Sequence, residues 1–128
     1  QRLRPLDSAG RYAVGSLRAS GIRVAASSDA PVVPFNPLVG ICAAVTRTAA
    51  SGQMLLPHEG ISPLEALRAY TIDAAYAGFE ENSKGSISRG KLADLAVLSD
   101  DPRAVHPEQI RDIKVLTTIL DGKVVWQK

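Results

Sequence analysis

Residues 62–99 read SPLEALRAYTIDAAYAGFEENSKGSISRGKLADLAVLS, and within this stretch the chain changes rhythm from helix to strand. Ser62 and Glu65 stand at capping-box spacing, Pro63 takes the first helical position and Gly78 offers a stop. The pattern predicts a helix over 62–78 with Leu64, Leu67, Ala74, Ala75 and Tyr76 as its inward stripe. Beyond ENSKG (81–85), two glycine turns precede an apolar run of strand length at 92–98. The closing stretch IKVLTTILDGKVVWQK (113–128) sets Asp121 and Gly122 between two runs rich in β-branched residues, the spacing of a hairpin with a type I′ turn. At least three strands are expected in this half. The intervening DDPRAVHPEQIRD (100–112) is polar with two prolines, so it is expected to be a surface excursion with at most one helical turn.

Upstream, DSAGRYAVGSLRASG (7–21) predicts a helix with Asp7 or Ser8 as N-cap and Gly21 as stop. IRVAAS (22–27) then has the make-up of a short buried strand, which the three prolines of DAPVVPFNP (29–37) prevent from continuing. Asn36 before Pro37 is a cap-then-first-turn signal for a helix over PLVGICAAVTRTAA (37–50). Helix, strand, helix, helix in this order points to the α/β class, with a buried parallel strand flanked by helices.

Composition narrows the function classes. With 45% hydrophobic and 22% charged residues in 128, the chain is an ordinary globular sequence of one or two compact units. Fifteen Lys and Arg against thirteen Asp and Glu give a net charge of +2 with no basic block, and the six aromatics are not interleaved with cations, which argues against nucleic acid as partner. The apolar runs fall well short of the ~20 residues that span a bilayer, so no membrane partner is expected. Cys42, the single cysteine, lies in LVGICAAV and reads as a core thiol in a reducing, cytoplasmic setting. The chain opens at Gln1, so a signal peptide ahead of it is left open.

The stretches SLRASGIRVAASSDAPV, NPLVGICAAVTR, ISPLEALRAYTIDAAYAGFEENSKGSISRGKLADLAVLSDDP and IKVLTTILDGKVVW together resemble the C-terminal third of a metal-dependent amidohydrolase, most closely the YtcJ-like subgroup. The GxIxxGKxADLxVL pattern recurs across amidohydrolases, whereas the SDAPV and AAVTR pieces point to the narrower subgroup. The resemblance implies an incomplete (β/α)8 TIM barrel over residues 1–84, holding its last strand and flanking helices. Residues 85–128 would then be C-terminal strands of the small β-sandwich that accompanies the barrel.

In such a barrel, catalytic groups sit at the C-terminal ends of the strands. The resemblance puts Asp29 there, as a ligand of a divalent metal (zinc by expectation) or its water and as proton shuttle. The bland alternative is an aspartate that merely makes a turn through its own backbone. Ser27 and Ser28 could hydrogen-bond that carboxylate or simply be small residues at a crowded rim. Phe35 could wall a substrate pocket or pack back on the barrel; Arg47 could contact substrate or anchor a helix end. Asp94, in the ADL signature, is expected to be structural.

The two histidines, His58 and His106, occupy neither place of a family ligand. The family's His-x-His pair would lie upstream of Gln1. The chain is therefore expected to be a fragment, inactive and metal-free alone, of an enzyme that hydrolyses amide or cyclic amide C–N bonds of small molecules. Its open strand edge would favour self-association or pairing with the missing N-terminal part. The rival from another class is a non-enzymatic α/β protein-interaction module.

Overall fold

The computed structural model describes residues 12–128. Its elements are α1 (Val14–Ala19), α2 (Pro37–Thr46), α3 (Pro63–Tyr70), α4 (Ile72–Ala77), β1 (Leu95–Leu98), β2 (Val115–Leu120) and β3 (Lys123–Gln127), with 3₁₀ turns at Pro57–Glu59 and Pro107–Asp112. The architecture is α/β, the sheet being three antiparallel strands in the order β1-β2-β3.

Local chemistry sets most element ends. Asn36 caps α2 by accepting the Leu38 N–H at 3.0 Å, and Pro37 follows at the first helical position. Ser62 and Glu65 form the expected capping box on α3: the Glu65 N–H donates to Ser62 Oγ at 3.3 Å, and the Ser62 N–H donates to Glu65 Oε2 at 2.8 Å. Asp121 and Gly122 both have positive φ, 47° and 76°, as a two-residue type I′ turn requires, and Leu120 pairs with Lys123 across it. Asp94 steadies this hairpin by accepting the Asp121 N–H at 2.9 Å, a structural role as expected.

Five expectations need correction. The helix expected over 62–78 is broken at Thr71, whose backbone (φ −123°, ψ −96°) leaves the helical region while its hydroxyl donates to the Leu67 carbonyl at 2.7 Å. A threonine that bonds its own preceding turn competes with the helical ladder. Its inward stripe is only partly as expected: Ala75 is buried, but so are Ala66, Ala69 and Asp73, while Leu64 and Tyr76 are exposed; Ala66 packs in one cluster with Leu38, Ile41 and Cys42 of α2, and Asp73 is buried against Arg18. The helix expected over 37–50 stops at Thr46, where Arg47 turns left-handed (φ 56°) and the chain doubles back through a Thr48–Met54 bridge. The helix expected from Asp7 or Ser8 begins at Val14, Tyr12 having φ 55°, and both proposed caps lie outside the described residues.

The last two corrections concern burial and pairing. The supposed surface excursion carries the centre of the core: Ile110 is 0% exposed and Ile113 is buried beside it. These two isoleucines join Leu38, Ile41 and Cys42 of α2 with Ile61 and Ala66 in one cluster that draws on both sides of residue 85. Cys42 is thus the core thiol expected of it. The stretch 22–27 is extended, with Val24, Ala26 and Ser28 turned inward at the strand period of two, yet it forms no ladder and no parallel strand occurs among the described residues. A parallel strand depends on neighbours on its two edges, and the described residues supply none. No helix among them is long and apolar enough to cross a membrane.

Candidate functional site

Chemistry-bearing groups gather at two places, the turn that ends the extended stretch and a set of buried charges behind α1. The turn is built as follows. Gly21 (φ 79°) reverses the chain after α1, and the stretch from Ile22 onward runs along α3 and α4. The Ala26 N–H donates to the Ala69 carbonyl at 3.0 Å, and the Arg23 guanidinium lies 4.3 Å over the Tyr76 ring. Asp29 then adopts φ 58°, a left-handed conformation that aspartate tolerates better than most residues, and its carbonyl accepts the Val32 N–H at 2.9 Å to close the turn.

The side chains of this turn divide the work. Ser27 Oγ accepts the Asp29 N–H at 3.2 Å and Ser28 Oγ accepts the Ala30 N–H at 3.3 Å. The serines therefore satisfy the turn's own backbone and do not bond the carboxylate, which is the structural one of the two roles considered for them. The Asp29 carboxylate is exposed and has no hydrogen-bond partner among the described residues. The backbone N–H two residues on, which an aspartate serving only its turn would bond, does not exist here because position 31 is proline, so the carboxylate has no such partner within the turn.

The other sequence-derived candidates do not converge on Asp29. Phe35 is 83% exposed and lines a cleft of about 420 Å³ with Trp126, Arg111 and Lys114. Arg47 lies on a different, mainly apolar groove of about 460 Å³ bounded by Val24, Ser27, Ala44, Ile61 and Tyr70. Its Nε donates to the Leu55 carbonyl at 3.1 Å, so it anchors the segment that follows α2. His58 is exposed with Nε2 3.7 Å from Glu59 Oε1, and His106 precedes the second 3₁₀ turn. Among the described residues no group of three or more His, Cys, Asp or Glu side chains could hold a metal ion.

The sequence reading missed the buried charges. Asp73 on α4 is 3% exposed and accepts from Arg18 Nη1 at 2.9 Å, and Arg18 Nε also lies 3.7 Å from Glu65. Buried Glu59 accepts the Ser16 N–H at 2.8 Å and the Ser16 hydroxyl. Those two bonds hold the Glu59 carboxyl below its ordinary range. Asp73 was legible in principle, since it shares a helical face with Ala66 and Ala69, and a carboxylate on an inward face needs a paired cation. Glu59 had no such signal. Together the two carboxylates clamp α1 to the rest of the chain, which fixes the start of the extended stretch that ends at Asp29.

The profile of the Amidohydrolase family matches residues 1–126. The Bacillus subtilis (strain 168) protein YtcJ, assigned as an amidohydrolase, is 36% identical over 120 residues, which is 91% of this chain and 23% of that protein. The N-substituted formamide deformylase of Arthrobacter pascens is 36% identical over 117 residues, 91% of this chain and 22% of that enzyme. Among solved structures, an amidohydrolase from Thermotoga maritima MSB8 superposes with a TM-score of 0.70 at 25% identity, over 91% of this chain and 26% of that one. The chain thus spans about a quarter of the length of these relatives.

Proposed function

The chain belongs to the amidohydrolase family, and from that premise we propose that it supplies the Asp29 corner of a metal-dependent hydrolase of non-peptide C–N bonds. In this reading the extended stretch is the last strand of a (β/α)8 barrel and β1 to β3 belong to the accompanying sandwich. The observation that carries the proposal is the uncommitted Asp29 carboxylate at the C-terminal end of that stretch, exposed and with no hydrogen-bond partner among the described residues. A substrate class of amides or cyclic amides is supported by the relative that deformylates N-substituted formamides. Family membership throughout residues 1–126 weighs against a non-enzymatic interaction module.

Asp29 is a hard oxygen donor and suits a divalent ion such as zinc as one ligand, but the described residues bring no further donors to it. The remaining ligands would come from polypeptide other than these residues, as would partners for the unladdered stretch, whether from the same protein or from a second copy. When bound, such an ion lowers the pKa of water so that hydroxide forms near neutrality. Asp29 would accept the proton of the attacking water on a carboxylate oxygen and pass it to the departing nitrogen as the C–N bond breaks. Its exposure leaves both transfers open to substrate.

The test is Asp29→Asn in the whole protein, assayed for release of amine from an N-formyl amine or a cyclic amide. Turnover should fall by about 10²–10⁴-fold, the usual span of a lost acid–base group, with the far-UV circular dichroism of the folded protein retained. Full activity in that variant would remove Asp29 from the mechanism.

A further inference from the structure

We infer that Tyr70 is a positioning residue for Asp29, seating the turn that carries it against α2 and α3. The inference rests on the reading of Asp29 as the reacting carboxylate. Tyr70 is the last residue of α3, and its half-buried ring packs on the core cluster. Its hydroxyl lies directly over Gly40 of α2: a Cβ at position 40 would overlap the hydroxyl and stand 2.9 Å from Cζ, so any larger residue there displaces the ring from this seat. From this seat the hydroxyl points to the Ser27 carbonyl at 3.5 Å, a long contact. The residue before it, Ala69, accepts the Ala26 N–H at 3.0 Å.

Two consecutive residues at the end of α3 therefore hold two consecutive residues of the extended stretch, three and two positions before Asp29. This matters because the stretch has no ladder among the described residues to hold it. Ser27, fixed through its carbonyl, in turn accepts the Asp29 N–H on its hydroxyl. The chain of contacts runs from Gly40 through Tyr70 and Ser27 to the backbone of Asp29 and never touches the carboxylate, so Tyr70 positions and does not itself react. Burial raises the phenol above its ordinary value, which keeps it a neutral hydrogen-bond donor across the working pH range.

Amide exchange and ¹H–¹⁵N spectra of the 128-residue chain test this with Tyr70→Ala, Gly40→Ala and Tyr70→Phe. Tyr70→Ala and Gly40→Ala should each speed exchange of the Ala26 amide by about tenfold and shift the amides of 26–30, leaving β2 and the 107–112 turn protected. Tyr70→Phe, which keeps the ring, should retain Ala26 protection and shift only the amides from 27 to 29. Unchanged 26–30 amides in Gly40→Ala, or a uniform loss of protection along the chain in all three variants, would overturn the inference. Should Tyr70→Ala not fold, Gly40→Ala and Tyr70→Phe still decide. Full turnover in Asp29→Asn would sink the catalytic reading of Asp29 without altering these exchange results, so the two failures are distinguishable.

Discussion

Ile110→Ala should be among the most damaging single truncations in this chain, although it falls in a stretch whose composition is that of a surface loop. The side chain is 0% exposed and packs with Leu38, Ile41, Cys42 and Ile113. Alanine removes three carbons, which at about 0.8 kcal/mol per buried methylene is about 2.4 kcal/mol of lost transfer free energy. The cavity left among rigidly placed neighbours adds about 1 kcal/mol, since such sites relax only in part. The expected total of about 3–4 kcal/mol corresponds to a drop of about 10–15 °C in the unfolding midpoint for a chain of this size. Urea unfolding followed by the fluorescence of Trp126 measures it, with Ile87→Ala as the control, because Ile87 is 90% exposed and should change stability by less than about 0.5 kcal/mol. A cost below about 1 kcal/mol for Ile110→Ala, or equal costs for the two variants, would refute the placement of the 107–112 turn at the centre of the core.

The buried charges lead to two further expectations. Asp73→Ala leaves the largely buried Arg18 guanidinium with only the more distant Glu65, 3.7 Å from its Nε, and should cost about 3 kcal/mol in urea unfolding; a loss within error of zero would mean that α1 is not clamped through this pair. Glu59 has its folded-state pKa lowered below the ordinary 4.5 by the Ser16 hydroxyl and N–H. A depressed carboxylate pKa contributes stability that is fully present above the unfolded value and is lost as pH falls through the folded one. Stability should therefore decline as pH drops below about 4.5, and Ser16→Ala should flatten that decline; superimposable pH profiles of the two proteins would contradict it.

How much of the site was legible differs by residue. Asp29 stood out as a carboxylate where an apolar run ended, and Pro31 two residues on offers it no N–H; that Ser27 and Ser28 take the N–H groups of Asp29 and Ala30 is what the string SSD does not reveal. Arg47 and Phe35 could be named from their neighbours, yet the fold sends them to different grooves. Tyr70 was not singled out, because its significance lies in a glycine thirty positions earlier.

What the sequence by itself determined are the features whose bonds close within about four residues: the Ser62–Glu65 capping box, the Asn36–Pro37 start of α2 and the Asp121–Gly122 turn. Their energetics involve only neighbouring atoms, so residue identity and spacing suffice. Family membership was legible too, being carried by motifs in order. The burial of Ile110, the pairing of Arg18 with Asp73 and the lack of a ladder along 22–28 among the described residues were decided only in three dimensions. Each depends on which surface arrives from far along the chain, and hydrophobic burial, unlike a cap or a turn, is indifferent to sequence distance.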